Sequence, residues 1–241
     1  MNKKEAAAIA AAFESSLASQ AKPGRAEFEK KYLKSDLRFL GATMPVVRAE
    51  CKGFYRENRL ISRADLDVLT DVLWQTRCHE LRSIGICLMV HFSQLYSHRD
   101  LPMVKQLVTE AGGWAHVDWL ATDLLGSIYT RSSSIAAKLR SWSKHEDFWV
   151  RRASMLALLD EARHGNRAAF DLFAEFAATM IEEKEFFIRK AIGWILREAS
   201  KKQPQWTFDF LMKHRQKASG LTMREGSKYL TPEMQAKLKQ I

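Results

Sequence analysis

The stretch Gly112-Gly-Trp-Ala-His-Val-Asp-Trp-Leu-Ala-Thr-Asp-Leu-Leu-Gly126 brings a carboxylate and an indole within one helical turn of each other. Two glycines break one helix, and Trp114 and Asp118, four residues apart, share a face at the start of the next. An Asp in a first helical turn has a structural use, satisfying amide donors and the helix dipole, and a chemical one, as a catalytic carboxylate. Both readings stay open on spacing alone. His116 and Trp119 read as surface or packing residues.

A second concentration of chemistry lies in Lys184–Lys201. At about 100° per residue, Ile188, Ala191, Ile192, Ile195 and Ala199 form one apolar face, and Lys190, Gly193, Trp194, Arg197 and Lys201 gather on the other. Trp stacks or makes cation–π contacts, Lys and Arg meet phosphates, and a glycine between them permits close approach, so a nucleic acid would use every member of the set. The alternative is that Trp194 packs against a neighbouring helix while the basic residues are solvated. A third oddity is Arg152, which falls inside the apolar stripe of Phe148, Met155, Leu156 and Leu159. A buried unpaired guanidinium is costly, so Arg152 must meet a carboxylate or line a groove where it holds a phosphate.

These residues need helices to position them, and the chain is patterned for little else. Apolar residues recur at helical spacing almost throughout, and period-2 β-branched runs are nearly absent, so the fold class is all-α. Helix starts are expected at Thr43 with Pro45 following, at Ser62 with Asp65, Ser143 with Glu146, Thr222 with Glu225, and at Thr231-Pro232. Turns fall at Ala21-Lys-Pro-Gly24, Gly112-Gly113 and His164-Gly-Asn166. Roughly a dozen helices of about 10 to 18 residues result. Paired helices of that length fit a solenoid of degenerate repeats, with a compact bundle as the alternative.

Composition narrows the partner. The 241 residues, 46% hydrophobic, suffice for a sizeable core in a single domain over 1–241. A formal charge of +10, from 38 Lys and Arg against 28 Asp and Glu, favours an anionic partner, nucleic acid or an anionic membrane. Cys51, Cys78 and Cys87 show no CxxC or short Cys/His pattern, so neither a structural metal nor a cofactor is expected. Glu5 and Glu14 interrupt the alanine-rich N-terminal run, which is too short and weak for a signal peptide or a membrane span. A soluble, cytoplasmic monomer is the expectation.

Taken in order, Phe39-Leu-Gly41, Pro45-x-x-Arg48, Trp114-x-x-Val-Asp118, Trp149-Val-x-Arg152-Ala and Lys184-Glu-Phe-Phe-Ile-x-Lys-Ala-Ile-Gly-Trp194-x-Leu-Arg-Glu198 resemble the landmarks of the AlkD-like DNA alkylation repair family. The resemblance spans roughly residues 25 to 230, and its last motif is the long and specific one. It implies a HEAT-like helical-repeat solenoid with a basic concave face. The implied activity is that of a DNA N-glycosylase, excising cationic alkylated purines such as N3-methyladenine and N7-methylguanine from duplex DNA in base excision repair, without a base-flipping pocket. Asp118 would then be the catalytic carboxylate, Trp114 and Trp194 would contact the deoxyribose, and Arg152 and Arg197 would grip the backbone. Tyr32 matches a groove tyrosine, and Lys190 and Lys201 complete the DNA-binding set. The chain departs from the family pattern at Gly113, where relatives have a second Trp, and at Asp160, where they have Lys; neither change touches Asp118. Two other readings use the same surface: a non-catalytic module binding damaged or structured DNA, and a protein-binding solenoid with aromatic anchors.

Overall fold

Capping side chains open several helices of the computed structural model, which describes residues 1–239. Asn2 and Glu5 form a reciprocal capping box at α1 (Lys3–Ser19). α2 (Arg25–Leu33) follows the left-handed Gly24, and α3 (Met44–Glu57) follows Thr43 with Pro45 in its first turn. Ser62 accepts from the Asp65 amide to start α4 (Arg63–Gln75), and α5 (His79–His91) comes next. α6 (Leu101–Glu110) ends at Ala111 and Gly112, whose φ of 69° is one that glycine adopts without strain. α7 (Trp114–Trp119) then begins.

The helix continues through a π-helical turn at Leu120–Leu125 into α8 (Gly126–Arg131). Beyond it lie α9 (Ala136–Trp142), α10 (Phe148–Leu156), α11 (Leu159–His164), α12 (Arg167–Met180) and α13 (Phe186–Ser200). α14 (Pro204–His214), α15 (Gly220–Gly226) and α16 (Pro232–Lys239) complete the order. The fold is all-α: no strand occurs among the described residues, and the one bridge is the isolated pair Arg38 and Cys78.

Two compact units are resolved. The first comprises Met1–Asp100 with Glu110–Trp119, and its centre is α5, buried without a break from His79 to Met89. A helix buried on every side needs neighbours on every side, and α1, α3, α4 and α7 pack around it. The second comprises Leu101–Thr109 and the chain from Leu120. Its centre is α13, whose predicted apolar residues Ile188, Ala191, Ile192, Ile195 and Ala199 are all fully buried. α10, α11, α12, α14 and α15 pack against it.

Two helix starts differ from expectation. The helix expected from Ser143 starts at Phe148, because the Asp147 carboxylate, on extended backbone, accepts from the Trp149 amide at 2.7 Å. Ser143 instead ends α9. The helix expected from Thr222 is capped earlier by Ser219, which accepts from the Thr222 amide at 3.1 Å. That leaves Glu225 inside the helix, free of any capping duty and available for another partner.

No helix among the described residues is long and apolar enough to cross a membrane.

Candidate active site

α7 presents Trp114 and Asp118 because its other side is held. His116 and Val117, on that side, are buried at 3% and 0% exposure. The His116 ring lies 4.4 Å from that of His79, and its Nε2 is 3.0 Å from Ser83 Oγ and 3.2 Å from the His79 carbonyl. Burial first, then the neighbouring His79 ring and the Arg82 charge, push His116 well below the usual histidine range. Burial likewise pushes His79 down to about 4. Both rings are therefore neutral near pH 7, as a stacked buried pair requires. The residue read from sequence as surface or packing, His116, is the packing anchor of the helix that carries Asp118.

The entry to α7 is tied down as well. Arg82, 5% exposed, donates to the Trp74 carbonyl at 2.9 Å and to the Glu110 carbonyl at 3.1 Å, and lies over the Trp74 ring. Trp74 Nε1 in turn donates to Glu110 at 2.8 Å. Buried polar groups are thus partnered, and the partners fix Glu110, and with it the entry to α7, against α4 and α5. The loop Phe39-Leu-Gly41 is fixed in the same way. Glu80, 1% exposed, accepts from the amides of Leu40 at 3.0 Å and Gly41 at 2.7 Å, and Phe39 stacks on His79.

What remains on the accessible side is aromatic and acidic. Trp114, Asp118 and Trp119 are half-buried, Tyr32 is 63% exposed, and the Tyr32 and Trp114 rings meet edge to face at 6.0 Å. Arg48 lies 5.7 Å over the Trp119 ring. Phe28, 67% exposed, extends the shelf, its ring parallel to that of Tyr32. Sequence reading passed over Phe28; the available signal was two aromatics four residues apart in α2, a helix with no buried residue. A carboxylate beside electron-rich rings stabilises positive charge that develops next to it.

In the second unit, α13 carries the basic face expected of it, and acids from nearby meet it. Lys190 bonds Glu225 at 2.7 Å and Arg197 pairs with the same carboxylate. The Lys190 hydrogen bond, then the charges of Lys190 and Arg197, hold Glu225 below the usual carboxylate range. Lys201 bonds Glu198 at 2.8 Å and lies 5.0 Å from the centre of the Tyr229 ring, and Arg163 approaches Glu198 at 3.6 Å. Four cations stand against two carboxylates, so the cluster keeps an excess of positive charge. Trp194 is half-buried among them. Gly193 is buried, and a Cβ there would sit 2.6 Å from the Glu225 Cβ. The close approach it permits in the fold is that of α15.

Arg152 is 2% exposed; it donates to the Phe187 carbonyl and lies 5.8 Å over the Phe187 ring. Its neighbour Arg151 makes a carboxylate pair, with Glu183 at 2.8 Å.

A family model described as DNA alkylation repair enzyme matches residues 13–230. The chain is similar to a structure described as a predicted DNA alkylation repair enzyme from Enterococcus faecalis, with 28% identity over 88% of this chain and 98% of that one, at a TM-score of 0.79. Two structures from Streptococcus mutans share the fold at lower identity. AlkD2 is 15% identical over 93% of this chain and 99% of its own, at a TM-score of 0.66. The protein smu.31 is 17% identical over 77% of this chain and 93% of its own, at 0.61. No curated protein matches the sequence.

Proposed function

The chain belongs to the DNA alkylation repair enzyme family, and on that premise we propose that it is a DNA N-glycosylase acting on cationic alkylated purines in duplex DNA. The observation that carries the reading is the placement of Asp118 one turn after Trp114, on a helix whose opposite side is locked by neutral buried His116, with Tyr32 edge-on to the indole.

Hydrolysis of a purine N-glycosidic bond builds positive charge on the deoxyribose, in an oxocarbenium-like transition state. Asp118 stabilises that charge and orients the water that attacks C1′, taking up the proton the water loses. The Trp114 and Tyr32 rings flank the sugar with their electron-rich faces and edges. A purine alkylated at N3 or N7 is already a cation, so the C1′–N bond breaks with both electrons passing to the base, which leaves neutral. No general acid is needed to protonate it. Catalysis that acts on the sugar favours labile cationic bases without a pocket that reads the base.

Phosphate contact falls to the basic residues of the second unit, Lys190, Arg197 and Lys201, with Trp194 beside them, while Arg152, 2% exposed, holds the Phe187 carbonyl behind that face. An ammonium has three donors and a guanidinium five, so pairing of Lys190 and Arg197 with Glu225 leaves both with hydrogen-bonding capacity for a phosphate.

The test is release of free base from methylated duplex DNA by the wild type and by Asp118→Asn, compared at matched DNA binding. Excision of N3-methyladenine or N7-methylguanine by the wild type, with a loss of about 100-fold or more in the variant, is expected. Undiminished excision by Asp118→Asn would refute the assignment of the carboxylate. Tight, salt-sensitive DNA binding with no base released by either protein would leave a non-catalytic DNA-binding module.

A further inference from the structure

The first unit holds a cluster of soft ligands that the proposed reaction does not use. Cys87 and His91 lie four residues apart on α5, the spacing that brings two helical side chains to one face. Cys51, on α3, faces them, and one turn after it the Tyr55 ring stacks on His91 with centroids 4.9 Å apart. The two sulfurs and a His91 ring nitrogen all lie within 4.8 Å of one another. Among the described residues this is the one place where three such ligands converge. Cys51 is fully buried and Cys87 4% exposed, while His91 is half-buried at the edge of the cluster.

We propose that Cys51, Cys87 and His91 form a zinc(II) site that pins α3 to α5, with water as the fourth ligand on the half-exposed side of His91. In tetrahedral zinc sites the metal lies about 2.3 Å from sulfur and about 2.0 Å from nitrogen, which sets ligand atoms roughly 3.5 to 3.8 Å apart. The 4.8 Å limit on the present separations exceeds that spacing by about 1 Å, the contraction that metal binding would bring about.

The ligand set selects the metal class. Two thiolates and an imidazole are soft or borderline donors, suited to zinc or copper(I) and poorly to calcium or magnesium, which take oxygen. Charge then separates the first two. Zinc(II) with two thiolates and a neutral imidazole is a neutral complex, whereas copper(I) with the same ligands leaves a net negative charge among buried side chains. Binding releases one proton from each thiol to solvent, so charge and protons balance. The sequence hid the site because only Cys87 and His91 are close along the chain; the third ligand arrives from another helix. The expectation of no structural metal rested on short motifs, which a site shared between two packed helices need not contain.

The experiment uses the full-length, tag-free, reduced protein, titrated with cobalt(II) and then zinc(II), alongside Cys51→Ser, Cys87→Ser and His91→Gln, with circular dichroism to verify each fold. One equivalent of cobalt should give a thiolate-to-cobalt charge-transfer band that zinc abolishes. Zinc at about 100 times its dissociation constant should raise the wild-type midpoint of thermal unfolding by roughly 5 to 10 °C. Each variant should lose at least about 10-fold in affinity, and His91→Gln, altered at a half-exposed side chain, keeps the test decisive if a cysteine variant fails to fold. Absence of the band, unchanged affinity in His91→Gln, or tight copper(I) binding that zinc cannot match would overturn the proposal. None of these readouts depends on base excision.

Discussion

Gly193→Ala separates two uses of one glycine, as a gap for a ligand and as a gap for a helix. A Cβ at this position would lie 2.6 Å from the Glu225 Cβ, 3.4 Å from its Cγ and 3.4 Å from the Thr222 Cα. The first and last of these atoms are fixed to the α15 backbone, so no rotamer change relieves the contact. α15 must retreat by about 1 Å to restore ordinary van der Waals separation, loosening its packing on α13 and the Lys190–Glu225–Arg197 cluster. Overpacking of this kind costs about 1 to 3 kcal/mol, and backbone contacts argue for the upper end. Replacing a helical glycine by alanine returns up to about 1 kcal/mol. The net expectation is a loss of about 2 kcal/mol, or roughly 4 to 8 °C in Tm for a chain of this size. Urea denaturation at constant m-value measures it. A double-mutant cycle with Glu225→Gly, which removes the clashing Cβ, should show a coupling of about 1 kcal/mol or more. A Gly193→Ala protein as stable as the wild type would refute the reasoning, and weaker DNA binding in that stable protein would favour the ligand gap.

Glu225→Gln removes the charge that holds Lys190 at 2.7 Å together with Arg197. If these cations serve phosphates, the variant should bind duplex DNA about 3- to 10-fold more tightly at low salt, with a steeper dependence of affinity on salt; an unchanged salt slope would confine both residues to a structural role. Acid should destabilise the first unit through His79 and His116. Burial lowers the pKa of each below its unfolded value of 6.5, so between pH 6.5 and about 4 the unfolded chain binds protons that the native His79 refuses. Stability is therefore full above that window and falls as pH drops into it, by about 2 kcal/mol for His79 between about pH 7 and pH 5, with His116 acting in the same direction. Denaturation midpoints across that range, with no decline on acidification, would show that the two rings titrate as exposed histidines do.

The sequence by itself determined what local physics controls. Helical periodicity fixed the all-α class and the buried face of α13, because side chains three and four residues apart share a side wherever a helix forms. The caps at Ser62 and the turns at Gly112 and Gly165 were legible for the same reason, since the groups they satisfy lie within a few residues. Trp114 and Asp118 fell on one face by spacing alone. Local signals failed where two competed, as when Asp147 took the cap expected of Ser143 and Ser219 the one expected of Thr222. Tertiary structure decided the rest, because its contacts join residues that no window spans. It brought Glu225 onto Lys190 and Arg197, gave Gly193 a helix to accommodate, set Arg152 on the Phe187 carbonyl and ring, and carried Cys51 to Cys87 and His91. That Trp114 and Asp118 share a face of α7 was legible from spacing, but that this face is the accessible one was not: it depends on His116 finding His79 and Ser83 on another helix, where burial and hydrogen bonding choose the side that goes in.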